Sequence, residues 1–142
     1  MMRKWIILGV VTLLAIFVGQ AQENFDKLPM NAQKIVKDYY AGHQVEKIDA
    51  DPNSGDESYQ VKFENGTKID FDENGNATEI SGEEKIPSAL IPEKMRLFLE
   101  NRYGDDYVTD WKMDDDGHQI EMNEGAKLVF DLDGNFKQNK DL

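Results

Sequence analysis

The sequence predicts an α+β fold made by tandem duplication: a helix plus a four-stranded antiparallel meander, occurring twice, with the helices packed on one face of the sheet. Three observations predict it. The chain repeats its own pattern along most of its length. Each copy opens with an apolar stripe at helical spacing, bounded by Pro on one side and Gly on the other. Each stripe is followed by short segments that alternate apolar and polar residues and are joined by Gly-containing turns.

The repeat can be followed residue by residue. A shift of 63 places Leu28 on Ile91, Pro29 on Pro92, Val36 on Leu99, Tyr40 on Tyr103 and Val45 on Val108. Beyond the first strand the shift becomes 59, pairing Val61 with Ile120, Gly66 with Gly125, Phe71 with Phe130 and Gly75 with Gly134. The lost four residues fall in the turn-rich loop from Asp51 to Asp56, and surface loops tolerate such length changes. A unit present only twice is a duplicated αβ element, since a solenoid needs about three or more repeats.

The first helix carries Ala32, Ile35, Val36, Tyr39 and Tyr40 on one face, starts after Leu28-Pro29 and ends near Gly42, which suits a left-handed C′ position. Strands follow at Val45 to Ile48, at Tyr59, Val61 and Phe63, at Ile69 and Phe71, and at Ala77 to Ile80. Asn65-Gly66 and Asn74-Gly75 mark hairpin turns between them. A short turn at Ile86 to Leu90 precedes the second helix, whose stripe is Met95, Phe98, Leu99 and Tyr103 between Pro92 and Gly104. The second set of strands holds Trp111 and Met113, then Ile120 and Met122, then Leu128, Phe130 and Leu132. The repeats run from about residue 28 to 80 and from 86 to 138, and one sheet face is expected to be polar and open to water.

Residues 1–21 read as a cleaved secretory signal. Arg3 and Lys4 form a positive start, Trp5 to Val18 is a 14-residue apolar run, and Gly19-Gln20-Ala21 supplies small residues at a cleavage site. A membrane span takes about 20 apolar residues, so no membrane insertion is expected after cleavage. The remaining 22–142 form one domain with a periplasmic or secreted address. Losing Arg3 and Lys4 leaves 14 basic side chains against 28 acidic ones, a net charge of −14. Such a surface repels nucleic-acid phosphates and anionic membranes, and so argues against both as partners. With no cysteine, neither disulfides nor thiol chemistry are available, and two halves this small are expected to share one core.

No catalytic constellation stands out. His43 and His118 occupy non-equivalent repeat positions and read as solvated surface residues, and no nucleophile elbow, zinc-helix or phosphate-loop motif occurs. The chain reads as a non-enzyme without a cofactor. Asp70-Phe71-Asp72-Glu73-Asn74-Gly75 matches the front of a calcium loop, but position 12 is Ser81 rather than a bidentate Glu, and the run lies between strands. It reads first as a hairpin turn, in which Asn, Asp and Gly accommodate the backbone, so no metal ligand is assigned. The polar sheet face is the better candidate surface. It carries Lys62 and Asp70 in the first copy and Lys112, Glu121, Lys127 and Val129 in the second, mostly as solvated cross-strand charges. Val129 stands where the first copy has Asp70, an apolar group on the wet side.

The tandem Leu/Ile-Pro start, the helix ending in Tyr and Gly, and the Phe-Asp-x-x-Gly-Asn turns behind a signal peptide resemble the β-lactamase-inhibitor-like, PepSY-like periplasmic proteins over about residues 25 to 138. The resemblance implies a duplicated helix-plus-four-strand unit and a non-enzymatic envelope role, binding or inhibiting another protein. It brings no catalytic motif and no functional residue with it. The expectation is an exported binding module that takes a protein or peptide partner of the cell envelope on its open sheet face. The alternative is a calcium-responsive envelope protein using Asp70, Asp72 and Asn74.

Overall fold

Pro29 and Pro92 set where the helices begin. A proline lacks the N–H that a first helical turn does not use, and its own carbonyl accepts the first helical bond. Gln33 N donates to Pro29 O at 3.0 Å, and Arg96 N to Pro92 O at 3.0 Å. The computed structural model describes residues 24–53 and 57–140, so the expected signal at 1–21 and part of the 51–56 loop lie outside the described residues. Within them the chain order is α1 (Met30–Tyr39), β1 (Val45–Ala50), β2 (Tyr59–Phe63), β3 (Lys68–Phe71) and β4 (Ala77–Ser81), then a 3-10 turn (Ser88–Leu90). It continues with α2 (Glu93–Tyr103), β5 (Val108–Asp114), β6 (Gly117–Met122), β7 (Lys127–Phe130) and β8 (Phe136–Asn139).

All eight strands form one antiparallel sheet in chain order, each paired with its neighbours in sequence. The two halves join where Glu79 faces Lys112 and Ile80 faces Trp111. Register shifts interrupt β1/β2 at Val45/Lys47 and β5/β6 at Val108/Asp110, and again β3/β4 at Asp70/Phe71 and β7/β8 at Val129/Phe130. Such bulges bend a strand and increase its twist.

Alternation decides what each face buries. Val61, Phe63, Ile69, Phe71 and Ile80 point inward with Trp111, Ile120, Met122, Leu128 and Phe130, and Ala32, Val36, Met95 and Leu99 of the helices complete the same core. Burying a side chain of this size stabilises the fold by about 1.5–3 kcal/mol over leaving it exposed, which is what holds a chain without disulfides. The hairpin turns tuck beneath the helix starts. At Gly75, with φ +83°, an added Cβ would lie 2.7 Å from Pro29 Cβ and 2.9 Å from Ala32 N, so only glycine lets the turn come this close.

Several expectations need correcting. Tyr39, placed on the apolar face of α1, is 39% exposed. Gly42 is not left-handed: α1 closes at Tyr40, with φ −128°, whose N–H donates to Val36 O. Leu132 does not continue the inward face, since the turn from Asp131 to Asn135 leaves it 56% exposed. The histidines are not solvated: His118 is buried in the core, and His43 is half-buried with Nδ1 enclosed.

Candidate functional site

A strand exposes every second residue on its outer side, and antiparallel pairing lines those residues up in rows across the sheet. Register places one row through Asp49, Gln60, Asp70, Glu79, Lys112, Gln119, Val129 and Gln138. A neighbouring row holds Lys47, Lys62, Lys68 and Ser81 in the first half, and Asp110, Glu121 and Lys127 in the second. All six residues singled out in the sequence therefore fall in two adjacent rows of the face turned away from the helices: Asp70, Lys112 and Val129 in one, Lys62, Glu121 and Lys127 in the other.

Their surroundings differ. Lys62 Nζ pairs with Glu46 Oε2 at 3.4 Å, an exposed pair of small energetic weight. Among the described residues neither Lys112 nor Lys127 closes an ion pair. Both border a shallow depression of about 290 Å³ with Glu79, Asp110, Glu121 and Lys140. Lys140 Nζ donates to Gln119 Oε1 at 3.1 Å, fixing the rim beside it. Val129 is half-buried between Gln119 and Gln138.

Asp70 is not solvated as expected; it is 1% exposed. Its Oδ1 accepts from Gln60 Nε2 at 2.8 Å, and Thr78 Oγ1 donates to its backbone carbonyl at 3.3 Å. One carboxylate oxygen from each of Glu57, Asp70 and Glu79 lies within 4.8 Å of the other two. Like charges this close repel, and a hard divalent cation with oxygen ligands would relieve the repulsion. Glu57 and Glu79 escaped the sequence reading because their approach to Asp70 depends on strand register.

The Asp-rich turns are built differently. Asp72 Oδ1 accepts from Asn74 N and Asn76 N, both at 2.9 Å, and Asp72 Oδ2 accepts from Asn76 Nδ2 at 3.3 Å. Asp131 receives the matching three bonds from Asp133 N, Asn135 N and Asn135 Nδ2. Both carboxylates thus hold their own hairpins closed.

A family model described as "putative beta-lactamase-inhibitor-like, PepSY-like" matches residues 57–138. The chain belongs to this PepSY-like family. Its fold is shared with solved periplasmic proteins of Bacteroides. A "putative calcium-regulated periplasmic protein" of Bacteroides thetaiotaomicron aligns at 26% identity and a TM-score of 0.74, over 82% of this chain and 92% of that one. A "putative periplasmic protein" of the DUF2874 family from Bacteroides vulgatus aligns at 25% identity and a TM-score of 0.75, with the same coverage. A further B. vulgatus periplasmic protein of unknown function, at 22% identity and a TM-score of 0.68 over 81% of this chain and 93% of that one, shares the fold. A search of curated proteins returned no match. The periplasmic address expected from the leader agrees with the two relatives at 26% and 25% identity. Among the described residues no helix is long and apolar enough to cross a membrane.

Proposed function

We propose that this PepSY-like protein is a non-catalytic binding module that takes a protein or peptide partner of the cell envelope on the outer face of its sheet. The observation that carries this reading is the continuous eight-strand outer face, which neither helix covers and on which Lys112 and Lys127 lie beside an open depression. The family's inhibitor-like description supports a protein partner. Capture from an envelope fraction tests it: a partner held by the native chain should be lost with the double variant Lys112→Glu/Lys127→Glu. Unchanged recovery would remove this face from consideration. Inhibition of a β-lactamase is the narrowest form of the reading, and a direct inhibition assay decides it.

The same reading takes residues 22–142 as one exported domain built from two repeats. The bulges recurring at matching positions and the identical bonding of Asp72 and Asp131 support a duplication.

A second reading, a calcium-responsive protein, is favoured by the deeply buried Asp70 carboxylate close to those of Glu57 and Glu79, and by the B. thetaiotaomicron relative, which is described as calcium-regulated. The Asp72 turn offers less, since both its oxygens already accept hydrogen bonds. Calcium at a hundred times its dissociation constant would add about 2.7 kcal/mol of stability. A melt in calcium against chelator should therefore show a shift that Asp70→Asn abolishes, and an unmoved melting temperature dismisses calcium.

A further inference from the structure

Lys112, Lys127 and Lys140 border one depression of about 290 Å³ on the outer face, and all three are exposed. Lys127 and Lys140 stand directly across from each other, since Lys140 N donates to Lys127 O at 2.7 Å and continues the β7–β8 ladder. Like charges in that relation destabilise a sheet. Register sets a carboxylate opposite two of the lysines: Glu79 faces Lys112, and Glu121 faces Lys127. Among the described residues neither couple closes an ion pair. Glu79 instead brings a carboxylate oxygen within 4.8 Å of those of Glu57 and Asp70. Asp110, also on the depression, accepts from Gly82 N at 3.3 Å on Oδ1 and from Thr109 Oγ1 at 2.8 Å on Oδ2. A chain with 28 acidic and 16 basic side chains has no shortage of counterions. Three open ammonium groups beside carboxylates engaged elsewhere therefore call for a cause.

We propose that this depression receives a short acidic peptide segment, its carboxylates on the lysines and an apolar side chain against Val129. The inference rests on the outer-face reading and names the chemistry of that partner. Val129 lies two residues along β7 from Lys127, on the same side of the sheet, and is half-buried between Gln119 and Gln138. An extended segment lying along β7 also repeats its side chains on one face every two residues. An acidic residue on Lys127 thus sets the residue two positions away over Val129. The first repeat lacks the arrangement: at the positions of Lys112, Val129 and Lys140 it has Asp49, Asp70 and Ser81. The open cations and the apolar neighbour are therefore a property of the second half, at a place where the copies differ. A broad anionic surface, membrane or nucleic acid, would be repelled by the acidic remainder of the chain, whereas a short segment stays within reach of the lysines.

The test is a nuclear magnetic resonance titration of the isotope-labelled protein, following the backbone amides of Lys127, Val129 and Lys140. The probes are the end-blocked peptides Asp-Gly-Val-Gly-Asp, Asn-Gly-Val-Gly-Asn and Lys-Gly-Val-Gly-Lys, and inorganic phosphate. Saturable shifts at all three amides are expected with the aspartate peptide alone. Lys127→Gln/Lys140→Gln should weaken that binding by about fivefold or more, while Lys34→Gln, an exposed change on α1, should leave it unchanged. A central Ser in place of the peptide's Val should also weaken it, and equal affinity would overturn the contact with Val129. Equal saturation by the asparagine or lysine peptide, or by phosphate alone, overturns the acidic-peptide partner. So does the absence of any saturable shift, or undiminished affinity in the double variant. None of these results removes the outer-face reading, which falls only if the captured envelope partner survives Lys112→Glu/Lys127→Glu.

Discussion

The indole N–H of Trp111 donates to Nδ1 of His118 at 3.1 Å, with the two residues 5% and 4% exposed on the helix-facing side of β5 and β6. The bond is a buried polar link in an otherwise apolar core, and its two ends depend on each other. His118→Leu leaves the indole N–H without an acceptor and should cost about 1–3 kcal/mol. Adding Trp111→Phe removes the stranded donor, so the double variant should lose less than the sum of the two single losses. Urea denaturation of the four proteins gives the coupling. Strict additivity would show that the bond contributes nothing.

His118 also shows how far the sequence could be read. The helices, hairpins and inward faces were legible because proline, glycine and period-two alternation act locally. Most apolar positions assigned inward are buried, while Ile35, Tyr59, Phe98 and Met113 are partly buried and Tyr39 is exposed. The inward position of His118 was available too, since it stands two residues before Ile120 on the same strand; residue type outweighed that parity. Leu132 misled in the opposite way, because the Asp131 turn ends the alternation before reaching it. The gathering of Glu57, Asp70 and Glu79, and that of Lys112, Lys127 and Lys140, arise between elements. They depend on register and on a bulge, neither of which a local pattern encodes. The rows of the outer face were half-legible: parity assigned the right side, and only pairing revealed the neighbours.

Gly117 sits where the β5–β6 hairpin comes up against the backbone of β7. Its φ is +141°, and a Cβ added there would overlap the carbonyl oxygen of Phe130. Backbone cannot yield as a flexible side-chain tip can, so Gly117→Ala should combine conformational strain with a backbone clash. A loss of about 3 kcal/mol or more is expected, read from the shift of the urea midpoint. A variant as stable as the parent would mean that β7 moves aside freely.

The Asp131 turn should be sensitive to acid. The backbone N–H and then the side-chain amide of Asn135, with smaller help from Asp133 N–H and Lys94, hold the carboxyl below its ordinary value. A group whose folded pKa lies below its unfolded one contributes stability above the unfolded value and loses it as pH falls through the folded one. Asp131→Ala should therefore melt below the parent at neutral pH, and the gap should close at acid pH once the parent's carboxyl is protonated. A gap that persists unchanged at acid pH would show that the hairpin owes nothing to the charge.

Tyr40 works at the other end of the scale. Burial lifts its hydroxyl from 10.0 to about 12, because the phenolate would lose its hydration without gaining a partner. In the unfolded chain the hydroxyl ionises near the ordinary value, whereas in the folded chain it does not. Stability is thus intact below about pH 10 and falls as the pH climbs from there towards 12. Tyr40→Phe has no proton to lose and should show a flatter decline over that window, while at neutral pH removal of an unpartnered buried hydroxyl should leave stability equal or slightly higher. Unfolding midpoints of both proteins, measured from pH 9 to pH 12 with the absorbance titration of the tyrosines alongside, test both parts. Parallel declines, or a Tyr40 that ionises with the exposed tyrosines, would show that solvent reaches the hydroxyl.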